Sequence, residues 1–257
     1  MGATPRARLF LRGRANVRPR DWAAAMAETV LLAMVLLAFT RLHAVVGTDV
    51  ATATANALAV QSVEQMLHLN IELATNRWLT EHETVIPAAV LVYRFYYAAL
   101  LWVLVWIYIR HAEVYVQVRR TFVAMTGLAV LAFWAMPTSP PRFALPGVVD
   151  IFAEHDILNS RSTRDMSNGA NFTAMPSLHV AWSAWCAYAV WSAVRGAHPR
   201  AALLAWLLPV VMVADVLATG NHYLLDVVGS GVLVIASIAI ATGWGRLVGH
   251  RFRPSVR

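Results

Sequence analysis

Three short polar clusters carry the residue types that do chemistry. The first is Thr219-Gly220-Asn221-His222-Tyr223-Leu224-Leu225-Asp226. Four residues apart on a helix, His222 and Asp226 share one face. A carboxylate that accepts a hydrogen bond from one ring nitrogen fixes the tautomer and leaves the other nitrogen to attack. A His–Asp pair at this spacing also serves as a plain helix cap, so the pair alone does not decide. The second cluster is Ala174-Met175-Pro176-Ser177-Leu178-His179. Pro176 suits the first turn of a helix. Ser177 and the free N–H groups of that turn would form an anion site, and His179 would give a proton to a leaving oxygen. Their structural alternative is a capping Ser beside an interfacial His. The third cluster ends in Pro140-Pro141-Arg142-Phe143. Its guanidinium would clamp phosphate oxygens through two parallel donors, or else snorkel to lipid headgroups.

Together these residues comprise a nucleophile with an orienting carboxylate, a proton donor, a hydroxyl at a helix start and a fixed cation. Phosphoryl transfer through a phosphohistidine requires that set, with in-line attack from one side, an acid on the other and donors around the equatorial oxygens. Cys, His and carboxylate clusters at metal-ligand spacing are absent from the sequence, so neither a metal nor another cofactor is expected.

Something must hold the three clusters at one depth. The chain has 257 residues, of which 59% are hydrophobic and 14% charged, with a mean hydropathy of +0.56. A soluble domain would carry about 25% charged residues. The apolar residues fall in blocks at 22–46, 85–109, 121–136, 178–194, 201–218 and 223–247. Lengths of about 17–25 residues suit helices crossing a hydrocarbon core, where the backbone must satisfy its own hydrogen bonds. The fold class expected is all-α integral membrane, with six transmembrane helices. The first block is longer than the core of a signal peptide, so it is read as a retained span.

The net charge of +7 comes from 21 basic residues, every one Arg. They concentrate in the N-terminal tail, in the loops after the second and fourth blocks, and in the C-terminal tail. Six spans put all four segments on one side, and the acid-rich segments 47–84, 137–177 and 219–222 on the other. Basic flanks stay in the cytoplasm. Both termini are therefore expected inside the plasma membrane, with the three clusters on the extracytoplasmic face. The division is a basic tail at 1–20, one membrane catalytic domain at 21–248 and a second basic tail at 249–257. The N-terminal tail lacks aromatic residues interleaved for base stacking, so no nucleic-acid partner is expected. Cys186, the single cysteine, forms no intrachain disulfide.

Segment 47–84 places apolar residues such as Ala57, Val60 and Val63 at near-helical spacing among Glu64, His68 and Glu72. It reads as an amphipathic helix on the outer surface or capping the bundle. Arg94 lies inside the second block, where a charge is expensive and usually functional; pairing with Asp215 is the structural alternative.

At its polar clusters the chain resembles the type 2 phosphatidic acid phosphatase superfamily, six-helix membrane relatives of the vanadium haloperoxidases. Pro176-Ser177-x-His179 is similar to its second motif and His222-x-x-x-Asp226 to its third. The PSLH and HY spellings look most like the inositol phosphorylceramide synthase-like branch. The resemblance implies that His222 is the nucleophile, Asp226 its support and His179 the acid and base. Ser177, Arg142, Arg94, Asn221 and Tyr223 are then the expected phosphate contacts. Two cations of the phosphatase form are unmatched. The chain has no Lys to open the first motif, and Val216 stands where an Arg precedes the third-motif His. Arg142 would replace one; Arg94, Arg161 or Arg164 would replace the other. The expected substrate is a membrane lipid or lipid-linked phosphate. A hydroxyl acceptor makes the chain a phosphotransferase, and water makes it a phosphatase. A scaffold or transporter with a degenerate site is the non-enzyme alternative.

Overall fold

A computed structural model describes residues 22–155 and 172–251, with side chains as far as residue 247. The tail at 1–20, the last residues from 252, and Arg161 and Arg164 lie outside the described residues. The chain divides into two compact units, Met1–Ala38 and Phe39–Arg257. The second contains every feature of the site.

The described residues form helices and no named strand. In chain order they are α1 (Trp22–His43), α2 (Val50–Met66), α3 (Glu72–Glu81), α4 (Ile86–Arg110), α5 (Ala112–Ala135), α6 (Pro141–Ala144), α7 (Ile151–Glu154), α8 (Leu178–Val194), α9 (Pro199–Leu204), α10 (Leu207–Ala218) and α11 (Leu224–Arg251). Among the described residues, five stretches are long and apolar enough to cross a membrane: Trp22–His43, Glu83–Arg110, Ala112–Ala135, Pro199–Ala218 and Leu224–Leu247. The protein is therefore a multi-pass membrane protein. No residue of α1 is buried, as suits an apolar helix in lipid.

The sixth block forms one long helix, as its length implies, and the fourth forms a helix with the block's own bounds, while the fifth is interrupted. The fourth forms α8, which at 17 residues is shorter than the five candidate spans. It is the hub of the second unit, packed against α4, α5, α9, α10 and α11. A helix surrounded by helices has no polar face to show. The indole of Trp185, fully buried, donates to Val118 O at 3.1 Å and ties α8 to α5. The fifth block breaks into α9 and α10 at Ala205 and Trp206. Pro209 is the reason, since it has no N–H to give to Ala205 O four residues earlier. The Arg-bearing loop expected around 110–120 is also mostly helix, because α5 starts at Ala112 and buries Tyr115 and Val118 on its inner face.

Segment 47–84 makes two helices rather than one. Asp49 caps α2, accepting from Ala51 N and Thr52 N. The turn to α3 carries His68 at φ 55°. Their inward faces include Glu64, Glu72 and Asn76, all buried, so the polar residues point into the protein rather than to water. Asn76 donates to Val149 O and Ala218 O at 3.0 Å each and accepts from Val149 N at 2.7 Å. That one amide fastens α3 to the end of α10.

Candidate active site

The end of α10 aims the site. Gly220, at φ +69°, donates to Leu217 O, while Asn221 N donates to Val216 O. These two bonds close the helix in the Schellman manner, with glycine in the left-handed position that side chains avoid. A Cβ here would lie 2.6 Å from Val148 Cγ1. The same residue's carbonyl accepts Arg142 N at 3.0 Å. One turn thus sets the positions of Arg142, Asn221 and His222.

The start of α11 is unusual. The first N–H groups of a helix have no partner within it. Here Tyr223 N donates to Asp226 Oδ2 at 2.9 Å, Leu224 N to Glu72 Oε1 at 3.0 Å and Leu225 N to Glu64 Oε1 at 2.7 Å. Three carboxylates from three helices cap one helix end, where negative charge is favoured. Burial pushes the Glu64 carboxyl up to about 8; the Leu225 N–H opposes the shift, and nearby Glu72 adds to it.

His222 is 6% exposed and Asp226 fully buried. His222 Nδ1 lies 2.9 Å from Ala174 O and 3.2 Å from Asp226 Oδ2. Both partners only accept, so Nδ1 carries the hydrogen and Nε2 of the neutral ring holds the lone pair. Ala174 is itself fixed by the short extended segment in front of α8. Phe172 N donates to Gly47 O, Thr138 N to Phe172 O and Ala174 N to Thr138 O.

His179 stands in the first turn of α8. Its ring stacks on Tyr93 with centroids 3.9 Å apart, touches Tyr96 at 4.4 Å and lies 6.1 Å from the His222 ring. The two histidines face a cavity of about 380 Å³, which Arg142 and Asn221 also line. Arg142 Nε lies 3.6 Å from Asp150 Oδ2. Asp150 uses its other oxygen to cap α7. Asn221 Nδ2 donates to Thr219 Oγ1 at 2.7 Å, and that hydroxyl donates to Asp215 O. The chain of donors fixes the amide orientation and leaves Asn221 a second N–H to give.

Three of the expected phosphate contacts are not among the residues that line the cavity. Ser177 is the N-cap of α8, its hydroxyl accepting from Val180 N; Ser230 donates to its carbonyl at 2.8 Å. Tyr223 packs into an apolar cluster with Ala57, Val60, Leu145 and Val148. Arg94 lies over the Phe152 ring at 5.9 Å. The cavity also has walls that the motifs did not announce, among them His43, Thr173 and Trp182.

The family model of the PAP2 superfamily matches residues 58–240. The chain belongs to the PAP2 superfamily. No curated protein and no solved structure matches it. PAP2 membership places the chain among phosphatase-like enzymes that act on lipid phosphates. The matched PAP2 region contains α3 to α10 entire, and with them every residue of the second and third motifs. The first helix lies outside it, although His43, at the end of that helix, reaches the PAP2 cavity.

Proposed function

We propose that the protein is a metal-independent lipid phosphotransferase of the inositol phosphorylceramide synthase-like kind, working through a phosphohistidine on His222. The observation that carries this reading is the Nδ1 of His222 held between two acceptors, with His179 across the same cavity. In the first half-reaction Nε2 of His222 attacks the lipid phosphorus. The N–P bond forms, the P–O bond to the leaving alcohol breaks, and His179 gives that oxygen a proton. Asp226 stabilises the cationic ring and keeps its tautomer, the usual part of a carboxylate behind a catalytic imidazole. In the second half-reaction His179 takes a proton from an acceptor hydroxyl, whose oxygen attacks phosphorus and releases His222. Arg142 and Asn221 supply donors to the equatorial oxygens. Ser177, Tyr223 and Arg94, which do not line the cavity, are assigned supporting parts. With water as acceptor the same steps give a phosphatase. A transferase is favoured because the aromatic wall of Tyr93, Tyr96 and Trp182 extends the cavity beyond the two histidines, giving an acceptor a surface to pack on.

In this reading α8 is a sixth span, both termini are cytoplasmic, and the cavity opens at the extracytoplasmic side of the plasma membrane. Segment α2–α3 caps the bundle there. The test is a donor–acceptor screen on purified protein, using phosphatidylinositol, a polyprenyl phosphate and phosphatidic acid as donors. Product analysis separates transferred phosphoryl groups from free phosphate. His222→Ala is expected to abolish both while the protein stays folded. Undiminished turnover in that variant overturns the mechanism, and activity lost to EDTA and restored by a metal overturns its metal independence.

A further inference from the structure

The cavity holds a third histidine for which the mechanism above has no task. His43, at the end of α1, puts Nε2 3.0 Å from Thr173 Oγ1. Its ring touches Phe39 at 5.4 Å and stands edge-on to Phe133 at 5.6 Å, so the imidazole is held in place by packing. Thr173 precedes Ala174, whose carbonyl binds His222, and its backbone is bridged to Thr138. Both His43 and Thr173 line the cavity that His179 and His222 face. Two phosphate-holding cations of the phosphatase pattern are missing from this chain, and Arg142, which lines the cavity, has its Nε 3.6 Å from Asp150 Oδ2 and keeps its remaining N–H groups for the equatorial oxygens.

We propose that His43 and Thr173 act as one phosphate-holding unit of the site, a reading that rests on the phosphotransfer function above. An ionised phosphoryl oxygen only accepts hydrogen bonds. The pair offers it a donor when His43 Nε2–H gives its hydrogen to Thr173 Oγ1 and the hydroxyl hydrogen points into the cavity. Thr173 is then the contact with the phosphoryl group, and His43 is a positioning residue that sets the direction of its hydroxyl. Neutral donors in a low-dielectric cavity bind an anionic oxygen more strongly than they would in water. The unit therefore takes over part of the work that fixed cations would do.

The test measures inorganic phosphate binding by calorimetry and lipid-phosphate turnover on the purified full chain in detergent micelles. Thr173→Val and His43→Ala are each expected to weaken phosphate binding and raise KM by about 10- to 100-fold, the range for a lost hydrogen bond to a charged group, with kcat changed less. Thr173→Ser and His43→Gln, which keep a hydroxyl and a side-chain N–H donor, are expected to stay within about three-fold of the parent. The double change Thr173→Val with His43→Ala is expected to cost little more than either alone, as a coupled pair requires. Unaltered phosphate binding in folded Thr173→Val overturns the proposal. So does a His43→Gln that is as impaired as His43→Leu, since packing alone would then explain the residue. Loss confined to the lipid arm, with the phosphate titration unchanged, overturns it as well and assigns the residues to the lipid chain. A dead His222→Ala beside a normal titration in Thr173→Val removes the pair and keeps phosphohistidine catalysis. An active His222→Ala removes the latter and leaves the titration to decide the pair.

Discussion

At the scale of single residues, the site depends on which atom of each ring is committed. His222 Nδ1 is committed twice, to Ala174 O and Asp226 Oδ2, and His179 is held by the faces of Tyr93 and Tyr96. If His179 is the acid, its removal hurts most where the leaving oxygen most needs a proton. His179→Ala is expected to slow a lipid alkyl phosphate by about 10²- to 10⁴-fold, the usual worth of a positioned acid, and an activated aryl phosphate far less. Equal slowing of the two substrates would remove that role. Gly220 makes a different prediction. Its φ is +69°, and an added methyl would stand 2.6 Å from Val148 Cγ1, so Gly220→Ala meets strain and a clash together. A loss of about 1–3 kcal/mol is expected, read as a lowered thermal midpoint with reduced kcat, because the same turn carries Arg142 and His222. The His222–Asp226 contact was legible in the sequence because its spacing is local, whereas the fold is what brings His179 to the same cavity as His222. His43 was not legible, since its partner Thr173 lies 130 positions away and only folding brings the two together.

At the scale of elements, the start of α11 shows how an outer layer serves the centre. Glu64 and Glu72, read in the sequence as the polar face of a surface helix, turn inward and cap α11 across separations of 161 and 152 residues. Near-helical spacing revealed the helices but not which face met the protein. The acid of Glu64 titrates at about 8, above its ordinary range. A carboxyl whose folded value is raised favours the fold while protonated, so its contribution is full below the ordinary carboxylate range and is lost as pH rises through about 8. The thermal midpoint is therefore expected to fall over that window. Glu64→Gln, which still accepts from Leu225 N but cannot ionise, is expected to flatten the decline and to be the more stable form above pH 8. An unchanged slope in the variant would show that another group sets it. The break between α9 and α10 was not read from the sequence, because the apolar block runs uninterrupted through Pro209.

At the scale of the whole molecule, composition announced a membrane protein and the apolar blocks announced most of its helices. Among the described residues, five stretches meet the length and hydropathy of a span, and α8 is the helix that length alone leaves short. Its position at the hub of the second unit explains both its uniform apolarity and its brevity, since packing rather than lipid thickness sets its length. The proposed topology predicts opposite labelling at two exposed sites. Glu83→Cys, between α3 and α4, is expected to react with an impermeant thiol reagent on intact cells. Ala197→Cys, between α8 and α9, is expected to react only after lysis, with buried Cys186 contributing little background. The reverse pattern would turn the topology over.

The three carboxylates on α11 have one more consequence. A helix start is an attractive berth for a phosphate, yet here the berth is occupied by the protein's own acids. The start of α11 is therefore not available as an anion site. Under the proposed function, substrate arrives by its hydrocarbon anchor in the plane of the bilayer, and the rate is expected to follow the mole fraction of lipid phosphate in the membrane rather than its bulk concentration. On that reading, water-soluble phosphate esters are expected to turn over more slowly than a lipid phosphate presented in a membrane.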